Sequence, residues 1–112
     1  QADVRGLGGS GRWMGCTAGR GAASNVAVGL ARVLGPERRV NRVAPGFLDT
    51  RWLRRGLGDE AFEAGKAHES RRAALKDVCK PEDVSQLVMS FIEGADMVTG
   101  QTLLIDGGAS IA

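Results

Sequence analysis

Several side chains in this 112-residue chain are of types that do chemistry. The run "GLGGSG" sets Gly6, Gly8 and Gly11 at the spacing of a phosphate-cradling loop. Such a loop works after a strand and before a helix, with an acidic residue about twenty positions further on. Here "QADVR" is a weak strand, no clear helix follows, and the next acid is Glu37. The run therefore reads as a flexible loop. The stretch "PGFLDT" offers more. Gly46, after Pro45, permits close approach of backbone to a ligand, and Thr50 offers a donor and an acceptor. A turn that merely ends a strand would use the same Pro45 and Gly46, so both readings stand. Cys16 and His68 are the ingredients of a thiol–imidazole pair. Nothing in the sequence brings them together, and His68 in "GKAHES" reads as a solvated surface side chain. Arg51, Arg54 and Arg55 are suited to an acidic group, although such a cluster is usually a solvated face. Trp52 and Leu53 would line a pocket or cover core. Cys16 and Cys79 are not in metal-binding spacing, and no metal site is expected.

The elements that must position these residues follow from pattern. Residues 1–20 are glycine-rich and weakly patterned, so loop is expected there, with at most a short strand at Arg12–Cys16. Residues 21–112 read as one α/β unit. Ala23, Val26, Ala27, Leu30, Ala31 and Leu34 fall at helical spacing, with Ser24 or Asn25 at the helix start. Gly35-Pro36 stops that helix. Val40 and Val43 flank a short strand that Pro45-Gly46 ends. Phe47 to Gly58 is a loop or short helix. Asp59–Leu75 reads as a helix, acidic at its start and basic towards its end, as the helix dipole favours. Pro81–Glu93 reads as the clearest helix, with Pro81 in the first turn, a stripe of Val84, Leu87, Val88, Phe91 and Ile92, and Gly94 closing it. That stripe is core or a subunit interface. Thr102–Ile105 reads as a strand covered on both faces, broken by Gly107-Gly108. Helix between strands implies a parallel β-α-β unit.

Composition bounds the function. Hydrophobic residues are 43% and charged residues 25%, as in an ordinary soluble domain. A net charge of +2, no long basic run and few aromatics argue against nucleic acid. No apolar run spans a membrane and no signal-peptide pattern is visible. Two cysteines fit a reducing, cytoplasmic compartment. The chain begins at Gln1, which reads as a fragment or processed product.

Three phrases then occur in order: "RVNRVAPGFLDT", "CKPEDVSQLV" and "MVTGQTLLIDGG". Together they resemble the C-terminal half of a short-chain dehydrogenase/reductase. The resemblance implies a partial Rossmann-like, doubly wound α/β fold, contributing its last two parallel strands with their helices. It implies NAD or NADP as cofactor, with Pro45, Gly46 and Thr50 near the nicotinamide end. It also implies hydride transfer to or from an alcohol or ketone by a tyrosine and a lysine four residues apart. In "GAASNVAVG" those slots hold Gly21 and Asn25, and the serine slot falls on Cys16. The chain contains no tyrosine at all. The expectation is a fragment or degenerate member, non-catalytic alone and not binding NAD(P) alone. The alternative is a pseudoenzyme or assembly module that keeps the family's oligomerisation surface. A homo-oligomer or a related partner subunit is expected, since a small sheet leaves edges and helix faces bare.

Overall fold

The computed structural model describes residues 14–112. Six elements follow in chain order: α1 (Met14–Leu34), β1 (Arg42–Pro45), α2 (Arg51–Leu57), α3 (Asp59–Arg72), α4 (Pro81–Glu93) and β2 (Thr102–Ile105). β1 and β2 pair in parallel, from Arg42 against Thr102 to Pro45 against Ile105. The ladder extends at both ends, because Arg42 N–H donates to Gln101 O (2.8 Å) and Gly46 N–H to Ile105 O (3.0 Å). Three helices separate these two strands, as a parallel crossover requires.

Asn41 sets this register. Its Nδ2 donates to Val98 O (2.7 Å) and its Oδ1 accepts from Gln101 N–H (3.1 Å). One side chain thus bridges the start of β1 to the turn before β2. Arg39, two residues earlier, holds the C-terminal end of α4. Its guanidinium donates to Phe91 O (2.8 Å) in the last turn of α4 and to Ala95 O (3.0 Å) just beyond it, the latter also accepting from Val98 N–H (2.9 Å). Gly100 lies in the left-handed region at φ 71, and a Cβ there would sit 3.5 Å from Ala31 Cβ. Through that contact α1 rests on the turn that feeds β2.

The core is small. Phe47, Phe62 and Val78 are its buried centre, with Leu53 packed against it. The Phe47 and Phe62 rings are tilted at 50° with centroids 5.5 Å apart, and the Arg54 guanidinium lies 4.2 Å above Phe62. Ala31, Ala44, Ala73 and Cys79 are the other buried apolar residues among those described. This cluster ties α2 and α3 to the carboxyl end of β1.

Expectation and structure agree on α4 and β2 to the residue. β1 lies two residues later than Val40–Val43, and α3 ends at Arg72, where Ala73 leaves the helix at ψ 140. Two readings are corrected. Residues 14–16 of the short strand expected at Arg12–Cys16 belong instead to α1, which also places Ser24 and Asn25 in mid-helix; Arg12 lies outside the described residues. The glycines there are tolerated as helix-interior residues, and no proline interrupts the run before Pro36. β2 is not covered on both faces either, since Leu103 and Leu104 are each 42% exposed.

Candidate functional site

α1 carries the slots that sequence singled out. Cys16 lies in its first turn, its side chain outside the described residues, and the run Gly6–Gly11 lies outside them altogether. Gly21 and Asn25 sit one turn apart on one face, as positions i and i+4 must. Asn25 Nδ2 donates to Gly21 O at 3.3 Å. Position 25 thus presents an amide and not a cation, and position 21 has no side chain.

The Pro45–Thr50 turn leaves the carboxyl end of β1, the side on which open α/β sheets hold ligands. Each residue in it also has a structural task. Gly46 approaches β2 so closely that a Cβ would lie 2.7 Å from Asp106 Cβ and 3.0 Å from its Cα. Thr50 is the N-cap of α2, and its Oγ1 accepts from Leu53 N–H at 3.2 Å. That bond uses an acceptor site and leaves the hydroxyl proton to donate. The cap was legible in Thr50 followed by a helical run, a signal that the sequence reading passed over.

Around the turn lie charged groups that sequence reasoning did not pair. Asp49 accepts from Lys66 Nζ at 2.5 Å, joining the turn to α3. This hydrogen bond raises the Lys66 pKa against the opposing pull of desolvation. Arg54 bonds Glu63 (2.6 Å) and Asp59 (3.1 Å), and these bonds raise its pKa, Glu63 foremost. Cys79 donates its thiol to Ile105 O (2.9 Å), and its own backbone carbonyl accepts from Asp49 N–H (2.9 Å). Burial, then the Asp83 and Asp106 charges, pushes this thiol's pKa up. An inert, protonated thiol is the consequence. Burial would push Asp106 up as well, but hydrogen bonds from the Ser110 side chain and from the backbone N–H groups of Gly108 and Ser110 outweigh it and lower its pKa. That carboxylate folds the Gly107-Gly108 turn, where both glycines have positive φ.

His68 is exposed on α3 and Trp52 is exposed on α2. No group of three or more His, Cys, Asp or Glu among the described residues could hold a metal ion, and no helix among them is long and apolar enough to cross a membrane.

Two parallel strands joined through helices, with a turn leaving the carboxyl end of the first, are a partial Rossmann-like α/β fold. The family profile described as enoyl-(acyl carrier protein) reductase matches residues 6–110. The short-chain dehydrogenase/reductase homolog YusR of Bacillus subtilis is 31% identical over 112 residues, covering 96% of this chain and 78% of YusR. A diacetyl reductase [(S)-acetoin forming] of Staphylococcus aureus is 40% identical over 77 residues, 62% of this chain and 30% of that protein. The structure of FolM alternative dihydrofolate reductase 1 from Brucella canis, complexed with NADP, superposes with a TM-score of 0.76 at 26% identity, over 98% of this chain and 40% of that one. The chain belongs to the short-chain dehydrogenase/reductase family. It spans about a third of the length of the diacetyl reductase and most of the length of YusR.

Proposed function

We propose that these 112 residues are a degenerate portion of a short-chain dehydrogenase/reductase, non-catalytic alone, that keeps the family's assembly surface. The observation that carries this reading is the Asn25–Gly21 hydrogen bond. A dehydrogenase of this type needs a group that moves a proton at the substrate oxygen near neutral pH. A glycine has no side chain to do so, and the Asn25 amide is turned back onto its own helix.

Family members hold NAD or NADP, and FolM is an instance with NADP. On this reading the described residues alone do not fit that group. Asn25 supplies no cation to a ribose, the space beside Gly46 is filled by Asp106, and the Thr50 oxygen is engaged by Leu53 N–H. The Thr50 hydroxyl keeps its proton to donate to a nicotinamide. When bound, such a cofactor would supply the hydride; nothing in this turn moves a proton.

The assembly reading rests on α1. Ser24, Ala27 and Ala31 face the sheet, while Ala22, Val26, Gly29, Leu30 and Val33 form a second apolar stripe on the opposite face. Val33 is 79% exposed. A helix apolar on both faces belongs between two layers. The radius of gyration, 15.1 Å, exceeds the ~13 Å of a compact domain near this size, as expected for a fold whose second layer is supplied by another subunit. We assign a second copy or a related subunit to that stripe, and a cytoplasmic location with it.

A second reading has a specific observation in its favour: the Pro45–Thr50 turn keeps its place at the carboxyl end of β1. Joined to an upstream glycine loop, the same residues would serve an oxidoreductase acting on an alcohol or ketone. Calorimetric titration of the purified chain with NAD and NADP, beside a turnover assay, separates the two. The first reading expects no saturable micromolar binding and no turnover above a heat-killed control. Either signal would overturn it.

A further inference from the structure

The α2–α3 hairpin divides its cations into two sets. Arg54 is bound by Asp59 and Glu63, and Lys66 by Asp49. Arg51 and Arg55 have no carboxylate partner among the described residues. The geometry of α2 explains the split. Its half-buried residues are Leu53 and Arg54, on the side of the Phe47–Phe62 core. The opposite side carries Arg51, Trp52, Arg55 and Gly56, all exposed.

Arg51 and Arg55 are four residues apart, and Trp52 and Arg55 three, so the indole and both guanidinium groups share one face. Trp52 is 81% exposed. A Cβ at Gly56 would meet nothing within 4 Å, so the turn beside the indole is bare backbone. A large apolar ring open to water thus stands beside two positive charges that have no carboxylate partner among the described residues, and next to Gly56, which has no side chain.

We propose that the Arg51–Trp52–Arg55 face of α2 is a docking site for an acidic segment of a partner protein. Charge complementarity fixes the sign of the occupant. Two guanidinium forks match carboxylates in bidentate geometry, more specifically than ammonium groups would. Trp and Arg are also the residue types that dominate binding energy at protein interfaces. An apolar side chain of the segment lies against Trp52 over the space left by Gly56, and flanking carboxylates meet Arg51 and Arg55. The site is separate from the α1 stripe, which carries no such charge, and from the Asn25–Gly21 slots.

The test uses the whole chain carrying Trp13→Phe, so that Trp52 is the sole indole. A labelled peptide of repeating Glu-Glu-Leu is titrated at low and at physiological salt, read by peptide anisotropy and Trp52 emission. The expected result is saturable binding with a Trp52 emission change. Arg51→Gln with Arg55→Gln weakens it about tenfold or more, and so does Trp52→Ala, about 1.4 kcal/mol in each case. Arg38→Gln with Arg71→Gln removes the same charge elsewhere and leaves binding intact. Circular dichroism checks that each variant is folded. The proposal is overturned by absence of saturable binding, by equal loss with both arginine pairs, or by an oligonucleotide competing as well as the peptide.

Discussion

Asn25 donates its side-chain amide to the carbonyl oxygen of Gly21, 3.3 Å away and one turn earlier in α1. On the proposed reading these are the two slots of a proton-transfer pair, and they are linked to each other by this bond. Replacing both, Gly21→Tyr with Asn25→Lys, would put the family's pair on α1, and on the proposed reading the cofactor would still not be held. We expect no oxidation of NADH or NADPH with simple ketones, followed by the loss of reduced-nicotinamide absorbance. Turnover by this double variant would show that the remaining site is complete.

Gly46 is expected to matter for the sheet before it matters for any ligand. A methyl group there must displace Asp106 or part β1 from β2. Overpacking of this kind costs about 1–3 kcal/mol. Urea denaturation of Gly46→Ala without any cofactor should show that loss. An unchanged midpoint would reassign the glycine to ligand approach.

The Cys79 thiol has its pKa raised in the fold by burial and by Asp83 and Asp106. The unfolded chain releases this proton first, from about pH 8.5. Stability contributed by the protonated thiol is whole below that pH and declines as pH rises towards the folded value. Alkylation should be slow at neutral pH in the native chain and fast in denaturant. Cys79→Ala should flatten the alkaline decline.

Asp106 behaves in the opposite sense. Its folded pKa is lowered, so its contribution is whole above the unfolded value of about 3.9 and is lost as pH falls through the folded value. Asp106→Asn keeps one acceptor oxygen where two backbone N–H groups now find two. A cost of about 1–3 kcal/mol is expected at neutral pH, with a weaker dependence on acid. Thermal melts across the acidic range provide the check.

The outward stripe of α1 makes the assembly reading testable. Leu30→Glu with Val33→Glu should leave the β1–β2 pairing in place and reduce the mass seen by light scattering. A parent chain that is already monomeric, with strong amide protection across β1 and β2, would count against the assembly surface.

What was legible in sequence was local. Pro81, the acids after it, the apolar stripe and Gly94 fix α4 without reference to the rest of the chain, and "TLLI" before "DGG" fixes β2. The start of α1 was misread because Gly15, Gly19 and Gly21 resemble turn signals. Each costs only about 1 kcal/mol against alanine, which a long helix absorbs. The absence of tyrosine was plain, whereas the Asn25 bond to Gly21 depends on a rotamer. The Asp49–Lys66 pair and the Gly46–Asp106 contact join residues distant in sequence, which periodicity does not report. Exposure of Leu103 and Leu104 was hidden for a different reason: an apolar run signals that a strand needs cover and says nothing of whether the same chain supplies it.

The bridge from Asn41 to Gln101 spans 60 residues, and among the described residues the two strands it aligns pair only with each other. Closing so long a loop carries a large entropy cost before any ladder bond repays it. Local helices form far sooner than such a contact. The order expected from these rates is α1 and α4 before the sheet, with their apolar faces open to a neighbouring chain until the strands close. A nascent or refolding population faces a race between strand closure and intermolecular capture, and its outcome depends on protein concentration. Dilution favours the β1–β2 pair, and crowding of like chains favours association.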